Sequence, residues 1–366
     1  MIIYIKILAA FLLSMAVSYL LVFPVIKLAK KWKMMDHPEA RKIHEIITPR
    51  MGGLAIFGGV VAGMLIIRPD IQYFTAISIG AVVIVLTGLL DDRFQIRPVA
   101  KLLGQVLAAS ILIFSGLQID ILTIPFIGMI PLSDPVSIIL SYFWIIGITN
   151  AINLIDGLDG LATGVTTISL ISVAIMALAI EPQVAIVFLC IVLIGSNLGF
   201  LVHNFYPAKI YMGDSGSLFL GYSMAVISMV GLFKNVTLFS FVIPIIVLAI
   251  PLFDTLFSII RRFLNKQKIM MPDNKHIHYQ ILAAGFSHRT TVLIIYGFSA
   301  LFGFLAIMFS LTSFSVSLGI TFIMLFLLHL FAEMTGVVQK GKRPVLHTIR
   351  RIYKGNSTKR KKDNEG

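Results

Sequence analysis

A chain of 366 residues that is 58% hydrophobic and only 13% charged, with a mean hydropathy of +0.95, is no ordinary water-soluble enzyme; those carry about 25% charged residues. The same composition excludes intrinsic disorder, and a single cysteine, Cys190, excludes an intramolecular disulfide or a Cys-rich zinc module. A net charge of +13 on so apolar a chain points to an integral membrane protein with basic loops.

In chain order, the stretches free of Asp, Glu, Lys and Arg are 7–26, 51–67, 71–90, 102–119, 135–155, 160–180, 182–208, 215–233, 235–253 and 290–332. A helix needs about 20 residues to cross roughly 30 Å of hydrocarbon, so the first nine runs give one span each. The last is long enough for two, divided at the polar patch from Ser310 to Ser315. The expected fold is all-α: a polytopic integral membrane protein with eleven transmembrane helices. Long unbroken apolar runs, rather than ten-residue alternation, argue against a β-barrel. The first run is too long for a signal-peptide core and no A-x-A site follows, so it is read as a true span. The segment 117–134, with two prolines and two aspartates, reads as an outside loop or a short surface-lying strand or helix.

With the N-terminus outside, segments 29–50, 91–101, 204–213, 259–289 and 336–366 share one side and hold 26 of the 30 Lys and Arg. The positive-inside rule makes that side, and the C-terminus, cytoplasmic. Residues 1–335 form the membrane unit, and 336–366 a basic, disordered cytoplasmic tail anchored near anionic lipid.

Thirteen of the 17 acidic residues lie on or near the same side. Asp91 with Asp92, Asp156 with Asp159, and Asp214 each adjoin an apolar span, where an unpaired carboxylate is costly. Helix capping accounts for any one of them. Three clusters on one membrane face are better explained by a shared site. Mg²⁺ takes one or two carboxylates plus phosphate and water oxygens. Arg41, Lys42, Lys101, Arg261, Arg262 and Lys275 on that face suit the remaining anionic oxygens. The chemistry indicated is a divalent cation with an anionic phosphate substrate at the membrane surface.

Singly, the motifs are weaker. NLIDGLDGLATG (153–164) carries two carboxylates three residues apart, which share a face if helical, and lacks an EF-hand ligand pattern. GDSGSLFLG (213–221) puts Asp214 and free backbone N–H groups at a helix start, a geometry for anion or metal–phosphate binding or for tight packing. GGLAIFGG (52–59) is assigned to close helix packing. In DNKHIHYQI (273–281), His276 and His278 lack cysteines or i, i+4 spacing for zinc and suit a diphosphate or a solvated loop. His203 and His329 lie inside apolar runs and read as packed.

DHPEARKIHEIITPRMGG (36–53), LLDDRFQIRPVAKLLGQ (89–105), NAINLIDGLDGLATG (150–164), NFYPAKIYMGDSGSLFLG (204–221) and DNKHIHYQI, taken in order, resemble one family. It is the polyprenyl-phosphate N-acetylhexosamine-1-phosphate transferases (glycosyltransferase family 4), with the likeness running from about residue 5 to 335. The resemblance implies transfer of a sugar-1-phosphate from a UDP-sugar to undecaprenyl phosphate, releasing UMP, with Mg²⁺ (or Mn²⁺) required. It implies that Asp214 is a metal ligand, with Asp156 a second ligand or catalytic carboxylate. Asp91 and Asp92 belong to the lipid phosphate, with Asp91 its base, and Lys101 is an active-site lysine. Asn153, Asp156 and Asp159 lie in the nucleotide loop, Asp159 near the uracil; Asn204 and Tyr211 hold and stack that base. His276 and His278 lie at the diphosphate and sugar end. The usual third histidine is Tyr279 here.

Arg41, Lys42 and His44, together with GDSGS and HIH, resemble the branch that handles GlcNAc, with Lys42 and His44 binding substrate. The pentapeptide branch reads GDVGS and HHHFE. The expected partners are therefore UDP-GlcNAc, undecaprenyl phosphate and membrane lipid, with no nucleic acid, and the family adds a homodimer. The expected place is the cytoplasmic membrane with the site on its inner face, at the first membrane step of a cell-wall or surface glycan. Direct displacement and a phospho-aspartyl intermediate both stay open. The alternatives are a phospho-MurNAc-pentapeptide or GalNAc-handling transferase and, from another class, a secondary transporter. Clean spans with carboxylates at their ends argue against the transporter.

Overall fold

In hydrocarbon every backbone N–H and C=O has to find its partner within the chain, so uncharged runs rich in Leu, Ile, Val and Phe fold as helices. The computed structural model describes residues 2–36, 47–67, 72–124, 128–179, 183–232, 242–266, 276–312 and 314–334. The expected tail 336–366, and with it Arg41, Lys42, His44 and Lys275, lies outside the described residues. The first runs become α1 (Ile2–Lys31), α2 (Gly53–Ile67), α3 (Phe74–Phe94), α4 (Pro98–Phe114) and α5 (Asp134–Ile155). Next come α6 (Leu161–Ala179), α7 (Val184–Asn204) and α8 (Gly213–Ile227), which runs on as a π-helical turn over Ser228–Leu232. The last are α9 (Val242–Val247), α10 (Ala249–Leu264), α11 (Ile277–Ala283), α12 (His288–Leu311) and α13 (Phe314–Met334).

Seven of these, α1, α3, α5, α6, α7, α12 and α13, are long and apolar enough to cross a membrane. The protein is a polytopic, predominantly helical membrane protein. The apolar helices α2 and α4 are shorter, with 15 and 17 residues, about 22 and 25 Å of rise.

Three expectations need correcting. Strand pairing enters the all-α picture in two small antiparallel ribbons, β1 (Met35–Asp36) with β2 (Thr48–Pro49) and β3 (Ile121–Ile124) with β4 (Gly128–Pro131). The second ribbon lies within 117–134, where a short strand is one of the forms the sequence allows, and is closed at its base by Leu132 N–H donating to Asp120 O. The run 235–253 is not one straight helix, for its described part divides at Leu248 into α9 and α10. Pro251 has no N–H to give the carbonyl of Val247, and the Ser169 hydroxyl of α6 donates to that oxygen instead at 3.1 Å. Third, Asp156 and Asp159 share no helical face: α5 ends at Ile155, α6 starts at Leu161, and the five residues between are non-helical. The division of 290–332 falls where the sequence places it, between Leu311 and Phe314, with Ser317 Oγ donating to the Phe309 carbonyl.

Helix α8 is buried along its whole length and packs against α2, α3 and α5. Small residues bring the backbones together there. A Cβ on Gly53 of α2 would stand 2.1 Å from the Gly216 nitrogen, and one on Gly88 of α3 would stand 2.3 Å from Ser215 Cα. The packing assigned to the first glycine-rich segment is thus aimed at the N-terminus of α8. Gly53→Ala should lower the thermal unfolding midpoint of the purified protein. Gly147→Ala, where a Cβ meets nothing within 4 Å, should be neutral or stabilising by up to about 1 kcal/mol.

Candidate active site at the helix ends

The N-terminus of α8 leaves backbone donors without partners in its own helix, and the Met212 before it offers no side-chain cap. The cap comes from α3. Asp92, its side chain fully buried, accepts from Asp214 N–H at 2.7 Å and from Ser215 N–H at 3.0 Å. Gly213 stands at φ +72°, and a Cβ there would lie 2.6 Å from Asp92 Oδ2. Glycine is therefore required both for the left-handed turn and for the approach of the carboxylate.

Arg50 completes this corner. It follows β2, bridges to Tyr211 in parallel register, and is fixed by its own N–H donating to Met34 O at 3.0 Å. Its Nε lies 3.1 Å from Asp92 Oδ1 and its Nη2 2.6 Å from Asp214 Oδ1. Burial opposes the Arg50 charge, but Asp214 and Asp92 outweigh it and raise its pKa above the usual arginine value. On the other flank Lys101, in the first turns of α4, donates to Asp214 Oδ2, to Asn153 Oδ1 at 3.1 Å and to Asp91 Oδ2 at 3.5 Å. Asn153 at the end of α5 donates to Ser217 Oγ at 2.8 Å and Asp214 Oδ1 at 3.3 Å. One turn back, the Gln105 and Asn150 amides donate to each other at 3.2 and 2.7 Å. That pair fixes the register of α4 against α5, and so of Lys101 against Asn153.

Asp156, just past α5, is partly buried and its carboxylate makes no hydrogen bond or ion pair among the described residues. Burial pushes it up to about 7, Arg50 opposing and Asp214 and Asp92 adding to the rise. Asp91, Asp92, Asp156 and Asp214 thus gather around two cations, Arg50 and Lys101.

The other half of the site is built on the loop after Asp156. Asp159 is buried; its N–H donates to His288 Nε2 at 3.0 Å and its Oδ2 accepts from Ala208 N–H at 2.9 Å. His288, as acceptor at Nε2, stacks on Tyr206 with ring centroids 4.5 Å apart. Asn204 is buried with its oxygen accepting from Thr163 Oγ1 and its Nδ2 donating to Ile210 O, so it braces the segment leading to Tyr211. Tyr211 is partly exposed and hydrogen-bonds Thr48; burial pushes its phenol up to about 12.

His276 and His278 flank the same loop. Buried Asp254 of α10 accepts from Ile277 N–H and pairs with His276 Nδ1, both at 2.9 Å. The His278 ring stacks parallel to His276 and lies so close to Gly157 that a Cβ there would be 2.4 Å from its Nε2. Burial holds His278 neutral, pushed down to about 4 against the pull of Asp254. Arg261 is buried one helical turn from Ser258 on α10.

Among the described residues no group of three His, Cys, Asp or Glu forms a ready metal cage. The donors at hand are hard carboxylate oxygens in excess of the local cations. That set fits Mg²⁺, which takes one or two carboxylates and fills the rest of its octahedron with water and phosphate.

The comparisons join this geometry to known proteins. Residues 74–232 match glycosyl transferase family 4. Over 355 residues the chain is 46% identical to the "probable undecaprenyl-phosphate N-acetylglucosaminyl 1-phosphate transferase" of Bacillus subtilis (strain 168), covering 96% of this chain and 98% of that one. The chain belongs to glycosyl transferase family 4. Two further members match at lower identity. The decaprenyl-phosphate N-acetylglucosaminephosphotransferase of Mycobacterium tuberculosis (strain H37Rv) is 33% identical over 76% of each chain. The undecaprenyl-phosphate alpha-N-acetylglucosaminyl 1-phosphate transferase of Escherichia coli (strain K12) is 28% identical over 74% of each.

The matched family segment holds Asp91 through Asp214, whereas Arg50, Asp254 and the histidine pair lie outside it. Three residues of the site have no role in the sequence reading: Arg50, Asp254 and His288. Arg50 sits in the segment TPRMGG, and Asp254 directly follows the apolar run 235–253, which is its one signal in the sequence. Asp254→Ala orphans the Ile277 N–H and the His276 ring N–H, and should cost about 1–3 kcal/mol for each buried donor. Unfolding of the purified variant measures that loss; an unchanged midpoint would remove Asp254 as the anchor of the histidine pair.

Proposed function

We propose that this family member transfers GlcNAc-1-phosphate from UDP-GlcNAc to undecaprenyl phosphate, giving undecaprenyl-diphosphate-GlcNAc and UMP. The reading rests on one observation above the others: Asp91, Lys101 and Asp214 meet in a single network at the ends of apolar helices. The Bacillus relative, matched over nearly its whole length, supplies the lipid and sugar by its name.

In the reaction an oxygen of the lipid phosphate bonds to the β-phosphorus of UDP-GlcNAc, and the bond from that phosphorus to the bridging oxygen breaks, leaving with UMP. The reacting groups are all anionic, so positioning and neutralisation of charge supply most of the rate. Asp91, free of the α8 amides that hold Asp92, takes the proton of the lipid phosphate and aims it. Lys101, already shared among Asp91, Asn153 and Asp214, provides a mobile ammonium for the phosphate oxygens. Asp92 acts on the reaction through Asp214, whose backbone it fixes. Bound Mg²⁺, held by Asp214 with Asp156 as the second candidate ligand, would neutralise the diphosphate. The 156–160 loop with Tyr211, braced by Asn204, receives the nucleotide, and His276 and His278 face the diphosphate and sugar end.

The chain crosses the bilayer eleven times in this reading, α9 and α10 making one broken crossing. The site faces the cytoplasm, on the side that carries 26 of the 30 Lys and Arg. The product is the lipid-linked primer of a cell-wall or surface glycan.

Asp214→Asn should abolish Mg²⁺-dependent UMP release while the protein still folds in detergent; normal turnover in that variant removes the metal assignment. Asp91→Asn should lower turnover by about 10²–10⁴-fold with UDP-GlcNAc binding retained. Incubation with UDP-GlcNAc or UDP-MurNAc-pentapeptide and undecaprenyl phosphate, followed by identification of the lipid product, tests the sugar.

A further inference from the structure

Both carboxylate oxygens of Asp214 are occupied. Oδ1 accepts from Arg50 Nη2 at 2.6 Å and from Asn153 Nδ2 at 3.3 Å, and Oδ2 accepts from Lys101. A divalent cation approaching this carboxylate therefore competes with a guanidinium and an ammonium for its oxygens. We infer that Arg50 is an internal counter-ion for Asp214: it holds this carboxylate while the metal is absent, and on metal binding releases it to take anionic oxygens of the diphosphate. The inference rests on Asp214 being the metal ligand.

The geometry favours Arg50 as the group that yields. Its backbone is pinned on both sides, by its own N–H to Met34 O and by the neighbouring bonds between Pro49, Gly52 and Tyr211. Its Nε is anchored on Asp92, and Asp92 is anchored on the amides of Asp214 and Ser215. The guanidinium can therefore let go of Asp214 Oδ1 by a small rotation while keeping Asp92, and stay in the site with its other N–H groups free. It is also the open side of the network: its side chain is 33% exposed, against 8% for Asp214 and 0% for Asp92. Planar donors in a fork suit a carboxylate or a phosphate equally well, so the same group serves both states.

A scaffold role and a counter-ion role predict different signs. Full-length wild type, Arg50→Gln, Arg50→Lys and Asp214→Asn are purified in lipid nanodiscs, with folding checked by thermal unfolding. Mn²⁺ binding is read by electron paramagnetic resonance without nucleotide, and UDP binding is measured in the presence of Mn²⁺. Arg50→Gln removes a cation that competes with the metal, so Mn²⁺ should bind roughly tenfold tighter, and added Mn²⁺ should raise its unfolding midpoint more than that of wild type. UDP should bind it more weakly, by a similar factor. Arg50→Lys, which keeps the charge but loses the planar fork that spans Asp92 and Asp214, should shift Mn²⁺ binding the same way by a smaller factor, and it decides the matter if the glutamine variant does not fold. Unchanged or weaker Mn²⁺ binding in a folded Arg50 variant overturns the inference. Equal Mn²⁺ binding by wild type and Asp214→Asn instead removes Asp214 as the metal ligand, a separate failure that takes the inference with it.

Discussion

The Asp92 carboxylate sits on the amides that open α8, and the geometry of the site follows from that placement. It joins three parts of the chain that are far apart in sequence: the strand end at Arg50, the end of α3, and the turn at Gly213. A fully buried carboxylate is expensive unless its oxygens are all used. Here two backbone N–H groups and the Arg50 Nε use them. The requirement reaches outward, since Gly53, Gly88 and Gly213 are each sites where a Cβ would collide with the N-terminal turn of α8 or with Asp92 itself. Asp214 inherits its position from this arrangement, because its own amide is one of the two that Asp92 holds.

The membrane body is stiffened by the same principle on a smaller scale. Short hydroxyl side chains reach carbonyls of neighbouring helices: Ser14 Oγ to Val192 O at 2.7 Å, Ser196 Oγ to Ile56 O at 2.6 Å. Where α8 loosens into its π-helical turn, Trp144 Nε1 donates to Ser228 Oγ. These bonds cost little in hydrocarbon, where the alternative is an unpaired polar group, and they join helices whose apolar faces have no preference between protein and lipid. A rigid body of this kind lets side chains from α3, α4, α5 and α8 meet at one end in fixed relation.

Sequence patterning carried the helical character, the break between α12 and α13, and the three acidic clusters, because each leaves a local mark: an uncharged run, a polar patch, a carboxylate beside a span. It was blind to what depends on geometry between distant segments. Asp156 and Asp159 looked like helix neighbours because the spacing permits it, yet the turn after Ile155 separates their environments. The run that ends at Phe253 is interrupted by Pro251 and by a hydroxyl from another helix, neither readable as a break from hydropathy. Arg50 carries no mark of its own in the sequence, since a lone arginine between β2 and α2 looks like any loop cation until Asp92 and Asp214 are seen on either side of it. Asp254 is silent in the sequence for the same reason, its partner lying 22 residues further along.

The family match over 74–232 and the site do not coincide, and the difference is physical. The matched segment supplies the carboxylates, Lys101, and the loop with Asp159 and Tyr211. The segments outside it supply the guanidinium on Asp92 and Asp214, and the histidine pair held by Asp254. Taken alone, the matched part gathers four aspartates around one lysine. Adding Arg50 brings a second cation against Asp92 and Asp214, and the carboxylates still outnumber the cations. The second cation of the site therefore reaches the matched aspartates from outside the matched segment, on a backbone that β2 and Tyr211 hold in place.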